Sequence, residues 1–391
     1  MNAMNPAAAV ARCCDRLSIT VGPIAEPSPE LAAAWDALAA DAAETSAFAE
    51  RWFLIAAART LPGARDVRLL AVWDETSDPR RLMAVLPLTI AHHYGRIPLH
   101  HVTNWMHHHC FLGTPLIRAG CEREAWGAIL TALDGADWVR GLFHVNGLVE
   151  GGAVHRGLIE AAAALGRPCD TVHRVSRAML ASPLSPSAYY ERTVRKKKRK
   201  ELKRLSSRLG ELGTLAPRRL SATDAVGPWC DAFLALERSG WKGVAGSALA
   251  SDPATEAFFR EALAGAHAAG LLDIVRLDLD ARPIAMLVNL IRPPGGFTFK
   301  IAFDEDFARF SPGVLVQIEN LAVLARGDVA WMDSCAVEDH PMINSLWGER
   351  RAIVRVTVPL GGPIRTTIFH LCRTAERGSA AFRRLRTRPA A

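Results

Sequence analysis

The stretch Phe297-Thr298-Phe299-Lys300-Ile301-Ala302-Phe303-Asp304-Glu305, followed by Phe310-Ser311-Pro312-Gly313-Val314-Leu315, decides how this chain reads. Residues 297–303 are strand-like and form the last of three such runs, after 271–280 and 283–291. Asp280-Ala281-Arg282 and Pro293-Pro294-Gly295-Gly296 supply turns between them, so the three runs read as an antiparallel meander. A helix is expected next over 311–326, with apolar residues at 314, 318, 321 and 325 on one face. A strand over 329–334, a short helix over 343–348 and a strand over 353–360 follow.

Upstream, a long helix is expected from Tyr190 to Leu209, where Val194, Leu202 and Leu205 return to one face and Gly210 and Gly213 end it. A strand over 214–220 and helices over 225–237 and 254–269 lie between it and the meander. The segment Ala181-Ser182-Pro183-Leu184-Ser185-Pro186-Ser187 is rich in turn formers and reads as a boundary. Before it, strands are expected over 18–22, 67–73, 82–92, 141–148 and 172–180, with helices over 29–41, 47–60, 122–133 and 154–165. Both halves are therefore mixed α/β, with a flexible N-terminus over 1–16, domains over 17–181 and 187–362, and a loosely held basic tail over 363–391.

A chain of 391 residues is long enough for two cores, and 50% hydrophobic with 22% charged residues is ordinary globular composition. No apolar run is long enough to span a bilayer, and no basic segment precedes the Ala-rich N-terminus as a signal peptide requires. Eight cysteines without a Cys-x-x-Cys pair suggest neither a zinc knuckle nor a disulfide framework, so a reducing cytoplasm is the expected compartment. The net charge of +7 is local, because residues 191–208 hold ten Lys or Arg against two Glu and leave the rest close to neutral.

Several motifs resemble the acetyltransferase domain of the CelD (cellulose-biosynthesis-associated) family. They are Lys300 to Glu305, Phe310 to Leu315 and Gln317-Ile318-Glu319-Asn320, supported by Ser239-Gly240-Trp241-Lys242-Gly243, Asp333-Ser334, Ser345-Leu346-Trp347 and Glu349-Arg350-Arg351. Phe48 with Trp52 and Leu86-Pro87-Leu88 carry a weaker resemblance in the first half. That family is similar in turn to the FemABX transferases, which pair two GNAT-like halves.

The resemblance implies two tandem GNAT-like domains and an acyl-CoA-dependent N- or O-acyltransferase. Its donor would be acetyl-CoA or another acyl-CoA, without a metal, and its acceptor a small molecule or saccharide in exopolysaccharide, cellulose or envelope metabolism. It further implies that the strands over 297–303 and 329–334 splay apart to admit the pantetheine arm, with Lys300, Ile301, Ala302 and Phe303 beside it. The donor's pyrophosphate would meet the helix opening at Ser311, near Arg309, Gly313 and Val314, where unpaired N–H groups favour an anion. This loop departs from the usual GNAT pattern Gln/Arg-x-x-Gly-x-Gly/Ala, and Ser311 with Pro312 is also an ordinary helix cap.

Acyl transfer needs a base for the acceptor and a proton for the departing thiolate. Asp304 and Asp333, at the ends of the two strands, are candidate bases, and Glu305 and Asp306 stand beside the first. No tyrosine follows the late strand, so Ser345 is the candidate proton donor there. Trp241, Lys242, Glu319 and Trp347 are candidate acceptor contacts. Each of these also has a plain reading as a cap, a solvated charge or core packing.

Seven of the thirteen histidines fall within 92–109, but their spacing is not that of a metal site. The basic run over 195–200 reads as a solvated helix face or as a contact for phosphates, while RNA is the rival partner that aminoacyl-tRNA-dependent FemABX-like enzymes suggest. A non-catalytic tandem-GNAT binding protein is the third reading.

Overall fold

The computed structural model describes residues 16–386, with side chains described through 378. In chain order its strands are β1 Leu17–Pro23, β2 Arg68–Asp74, β3 Arg81–Ala91, β4 His101–Asn104, β5 Leu116–Ile117, β6 Leu142–Val149, β7 Asp170–Leu180, β8 Leu215–Arg219, β9 Leu272–Leu279, β10 Arg282–Arg292, β11 Gly295–Phe303, β12 Trp331–Asp333 and β13 Glu349–Pro359. The helices are α1 Pro29–Ala40, α2 Arg51–Thr60, α3 Glu122–Gly135, α4 Ala153–Ala164, α5 Pro186–Thr193, α6 Lys196–Gly210, α7 Val226–Ser239, α8 Trp241–Val244, α9 Pro253–Ala268, α10 Pro312–Glu319, α11 Pro341–Asn344 and α12 Pro363–Arg386. The mixed α/β class expected from the sequence is the one observed.

The described residues form two compact units, one of residues 16–44, 66–174 and 354–386, the other of 45–65 and 175–353. Two segments thus depart from the expected domains over 17–181 and 187–362. Residues 45–65 belong with the second half because their aromatic side chains are core there. Phe48 packs edge-on against Phe297 at 5.3 Å between ring centres, and Phe53 against Phe258 and Phe299 at 5.3 and 5.8 Å. Such pairs add about 0.5–1.5 kcal/mol each beyond the area they bury.

The basic tail expected to be loose is instead helix α12, which buries Phe369 and Cys372 against Tyr94 and Leu142 of the first unit. That unit also takes the end of β13, where Val354, Val356 and Val358 alternate into its core. The expectation for the N-terminus concerns residues that, apart from Arg16, lie outside those described.

The first unit pairs β1, β2, β3 and β4 antiparallel and β4 with β6 parallel. Helices α3 and α4 supply Trp126, Ile129, Leu130 and Leu158 to its core. β4 and β5 were not expected, being too short to carry a periodic signal. A polar cluster is buried on this sheet. The Thr357 hydroxyl meets His144 Nδ1 at 2.8 Å and the Tyr94 hydroxyl at 3.1 Å, while the His101 ring stands edge-on to His144. Burial, with His101 and Arg355 adding to it, pushes His144 down to about 3, so its imidazole is neutral at physiological pH. Among the described residues no three His, Cys, Asp or Glu converge as metal ligands.

The second unit holds the meander. β8, β9, β10 and β11 pair antiparallel in turn, β11 pairs with β12 in parallel, and β12 pairs antiparallel with β7. Gly295 and Gly296 are strand residues rather than turn residues. The Trp331 ring lies so close over Gly295 that a Cβ there would stand 2.3 Å from it, which only glycine permits. The expected long helix is broken into α5 and α6, because Val194 turns extended (φ −89°, ψ 124°) and buries its side chain beside Tyr189 and Trp347.

Glu50 anchors 45–65 to β10. Its buried carboxylate takes both nitrogens of one face of the Arg292 guanidinium and the indole N–H of Trp52 at 3.0 Å. Removing one partner of a buried pair leaves a charge in low dielectric. Glu50→Ala should therefore lower the unfolding free energy by about 3 kcal/mol in urea denaturation; a change near zero would show that the segment is held by its aromatic rings alone.

Candidate functional site

β10 accompanies β11 over its length, whereas β12 meets it only at Gly295, Gly296 and Phe297. From Thr298 to Phe303 no described strand pairs with the other edge of β11. The buried Thr298 hydroxyl, at the point of divergence, has no hydrogen-bond partner. A register shift sets in at the same place. Val288 opposes Lys300 and Asn289 opposes Thr298, which leaves Phe299 as an extra residue on β11. A bulge of this kind turns the next side chain out of strict alternation.

Lys300 follows the bulge, its ammonium 5.3 Å from the centre of the Phe299 ring. Burial and, after it, the neighbouring Lys242 charge pull its pKa down to about 8, while Glu237 and Cys335 oppose them. Glu237 projects from the last turns of α7 and is itself buried. Its carboxylate takes Lys242 Nζ at 2.7 Å and the Leu249 N–H at 2.8 Å. Beside it, Ile301, Ala302 and Phe303 line a small cleft with Trp241, Lys242 and Glu305. Trp241 stands exposed at its edge, with its N–H held by Glu305 at 2.7 Å. β11, the end of α7, the short α8 and the loop after β12 therefore bring together Lys300, Glu237, Lys242 and Cys335.

The two candidate bases hold other positions. Asp333 is wholly buried and receives Arg177 at 2.6 and 2.7 Å, Arg351 at 3.2 Å and the Cys335 N–H at 2.9 Å. Two guanidinium groups on one carboxylate make it an ionic clamp, not a proton acceptor facing substrate. It also holds Cys335 in left-handed backbone (φ 53°), a conformation that costs a non-glycine residue on the order of 1 kcal/mol. Asp304 caps the short 3-10 turn over 305–310, accepting the Asp306 N–H at 3.1 Å, and pairs with Arg282.

The helix opening at Ser311 offers an anion little. Ser311 is itself left-handed (φ 56°), and its hydroxyl caps nothing. Pro312 has no N–H, and Val314 and Leu315 both donate to the Ser311 carbonyl, which leaves Gly313 as the open donor of the turn. Gly313 is buried, and a Cβ there would press on Phe303 at 3.1 Å rather than point outward. Arg309 stacks on Phe310 at 4.8 Å, and Val314 packs on the core around Trp347.

Three remaining candidates lie apart from the cleft. Glu319 lines an apolar groove with Lys200, Lys203 and Leu315. Ser345 accepts Lys198 Nζ and donates to the Met342 carbonyl, each at 2.6 Å. Trp347 is fully buried. Sequence reasoning did not find Glu237 or Cys335, which carry no motif of their own. It also found no tyrosine near 341–350, yet Tyr189 brings one there from α5. Its hydroxyl donates to Glu349 at 2.6 Å and accepts the Gly348 N–H at 2.9 Å, and burial, with Glu349 beside it, pushes its pKa up to about 12.

Residues 196–340 match the family model of an acetyltransferase (GNAT) domain, and this stretch holds the meander, the divergent strands and Lys300. No curated protein matches the chain. Among solved structures, the chain resembles FemX at 10% identity and a TM-score of 0.54, over 83% of this chain and 95% of that one. It also resembles the C-terminal domain of a putative lysylphosphatidylglycerol synthetase from Agrobacterium fabrum (10%, TM-score 0.51, 87% and 95% covered). A third is L-PGS from Bacillus licheniformis (12%, TM-score 0.50, 89% and 97% covered). At these identities the likeness is one of fold. The second unit thus carries a GNAT acyltransferase-like fold, and no described helix is long and apolar enough to cross a membrane.

An anchoring role for Asp333 makes a distinct prediction. Asp333→Ala should cost about 3–5 kcal/mol of stability, read by chemical denaturation, because Arg177 and Arg351 lose their shared counter-ion. A variant as stable as the parent, with turnover abolished, would return Asp333 to the role of base.

Proposed function

We propose that the chain transfers an acyl group from a CoA thioester to an amine or hydroxyl acceptor, with Lys300 carrying the proton. The observation that carries this reading is the parting of β11 and β12 after Phe297, beside a lysine whose pKa is pulled to about 8. The open backbone edge over 298–303 offers amides to an extended arm bearing amides of its own, as pantetheine does. The GNAT-domain match over the same strands supports the same donor class.

In this reading the neutral Lys300 amine takes the proton of the acceptor as its nitrogen or oxygen attacks the thioester carbonyl. The tetrahedral intermediate collapses, the C–S bond breaks, and the Lys300 ammonium returns the proton to the departing thiolate sulfur. Glu237 and Lys242 hold charge beside Lys300, and Trp241 at the cleft edge is placed to meet the acceptor. A saccharide acceptor in cellulose or exopolysaccharide metabolism follows from the resemblance to the CelD family and not from a feature of the cleft. The resemblance to the FemABX transferases keeps an aminoacyl-tRNA donor as the rival, for which α6 offers charge but no aromatic side chain to stack on a base.

Titrating acetyl-CoA into the protein by calorimetry tests the donor; saturable binding is expected, and its absence removes the reading. The pH profile tests the lysine. At pH 7 most Lys300 carries a proton, so kcat/KM should climb with pH and level off above about 8. Lys300→Met should remove that limb and lower turnover by roughly 10²–10⁴-fold. Because the folded pKa lies below the ordinary lysine value, the native state binds fewer protons than the unfolded chain between about 8 and about 10.4. Stability relative to Lys300→Met should therefore rise with pH across that window, and a flat difference would count against the shift.

A further inference from the structure

The geometry points to a second site in the same unit, a cavity of about 760 Å³ between the start of α6 and residues 341–350, which binds the phosphoryl group of a small-molecule substrate. Ligand cavities run from roughly 300 to 1,000 Å³, so the volume is that of a small-molecule pocket. Four cationic side chains line it, Arg195, Lys197, Lys198 and Arg350, against the single carboxylate of Glu201. Among the described residues neither Arg195 nor Lys197 has an ion-pair partner within 4.0 Å. Lys198 is steered inward by its bond to Ser345, and Arg350 is folded back on the Trp347 and Glu349 carbonyls at 3.0 Å.

Two further features make these charges more than a solvated face. The first turn of α6 carries lysines and no acid, and no side chain caps it. Cations there oppose the helix dipole, whose positive end lies at that turn, so the arrangement is unfavourable by itself and is offset when an anion arrives. The second feature is independent of the helix. Trp347 lines the cavity, is fully buried, and its indole N–H has no partner in the protein. A buried donor without a partner costs about 1–3 kcal/mol, which a phosphate oxygen admitted to that N–H would recover. Asn344, also lining the cavity, gives its amide N–H to the Glu338 carbonyl at 2.7 Å and leaves its own buried carbonyl oxygen unpaired. That acceptor suits a hydroxyl or amide on the molecule that bears the phosphate.

The same chemistry fits a phosphate of the acyl donor or one on the acceptor. Neither source depends on the acyl-transfer reading, since the pocket is defined without the cleft. An RNA backbone fits less well. Trp347 is buried and cannot stack on a base, and α6 presents no aromatic side chain.

The test is calorimetry at low salt with inorganic pyrophosphate, CoA, dephospho-CoA, pantetheine and UDP. The proteins compared are the parent, the Lys197→Ala/Arg350→Ala double variant, Trp347→Phe and, as a charge control outside the cavity, Lys203→Ala. Pyrophosphate should bind the parent and bind the double variant about ten-fold or more weakly, with Lys203→Ala unchanged. Trp347→Phe should weaken it in the same direction, and since Lys197 and Arg350 are exposed, the double variant remains informative if the buried substitution fails to fold. A CoA advantage over dephospho-CoA or pantetheine that vanishes in the double variant assigns the phosphate to the donor. UDP binding that falls in the double variant while CoA binding holds assigns it to the acceptor. No pyrophosphate binding to the parent overturns the site, as does an equal loss in Lys203→Ala. Binding of a ten-nucleotide RNA where pyrophosphate does not bind overturns it in favour of a nucleic-acid surface.

Discussion

The second unit is organised by how little β12 pairs with β11. Three residues of parallel ladder, Gly295 to Phe297 against Trp331 to Asp333, hold the strands together at one end and release them at the other. The join is tight because Trp331 lies across Gly295, and Arg351 stacks on the Trp331 ring at 4.2 Å. Past it, no described strand pairs with that edge of β11, and the proposed donor arm would meet backbone amides that most sheets satisfy internally. The bulge at Phe299 falls within this released stretch, so the place where the ladder ends is also where a lysine is turned toward α7.

Charge in this unit is divided by how it is compensated. Asp333 sits between two arginines in the interior, and Glu50 with Arg292 does the same at the edge of β10, each a closed set of partners that fixes backbone in place. Lys300 belongs to a looser group, with Lys242 and Glu237 beside it, where burial and like charge are only partly answered and the pKa moves toward neutrality. Perturbed groups gather where chemistry is done, whereas fully paired ones hold structure. That contrast is why the proposed reading gives the proton-carrying role to Lys300 and not to Asp304 or Asp333, which the strand ends suggest.

The meander, the helix after it and the late strand were legible because strand runs and turn residues are local. What was not legible arises between distant residues. Glu237 and Cys335 reach Lys300 from a helix and a loop whose own sequences are unremarked, and Tyr189 reaches Gly348 across 159 positions. Residues 45–65 read as part of the first half, since nothing local announces that Phe48 and Phe53 complete an aromatic core with Phe297 and Phe299. The tail read as loose from its charge, although Phe369 and Cys372 are spaced to bury on one side of a helix. At Ser311 the sequence offered a helix opening without the usual glycine pattern, and the direction of each N–H depends on backbone angles that the residues there do not fix.

That last difference bears on where phosphate charge is met. A helix opening with a single open N–H contributes a dipole and little else. The start of α6 has the same dipole, three successive lysines, and a cavity wall with a buried indole N–H that the protein leaves unpaired. Clustered cations repel one another across the cavity, and that cost falls when a dianion enters. The proposed phosphate site therefore favours the α6 cavity over the α10 opening, with Arg195, Lys197 and Lys198 of the basic run along its wall.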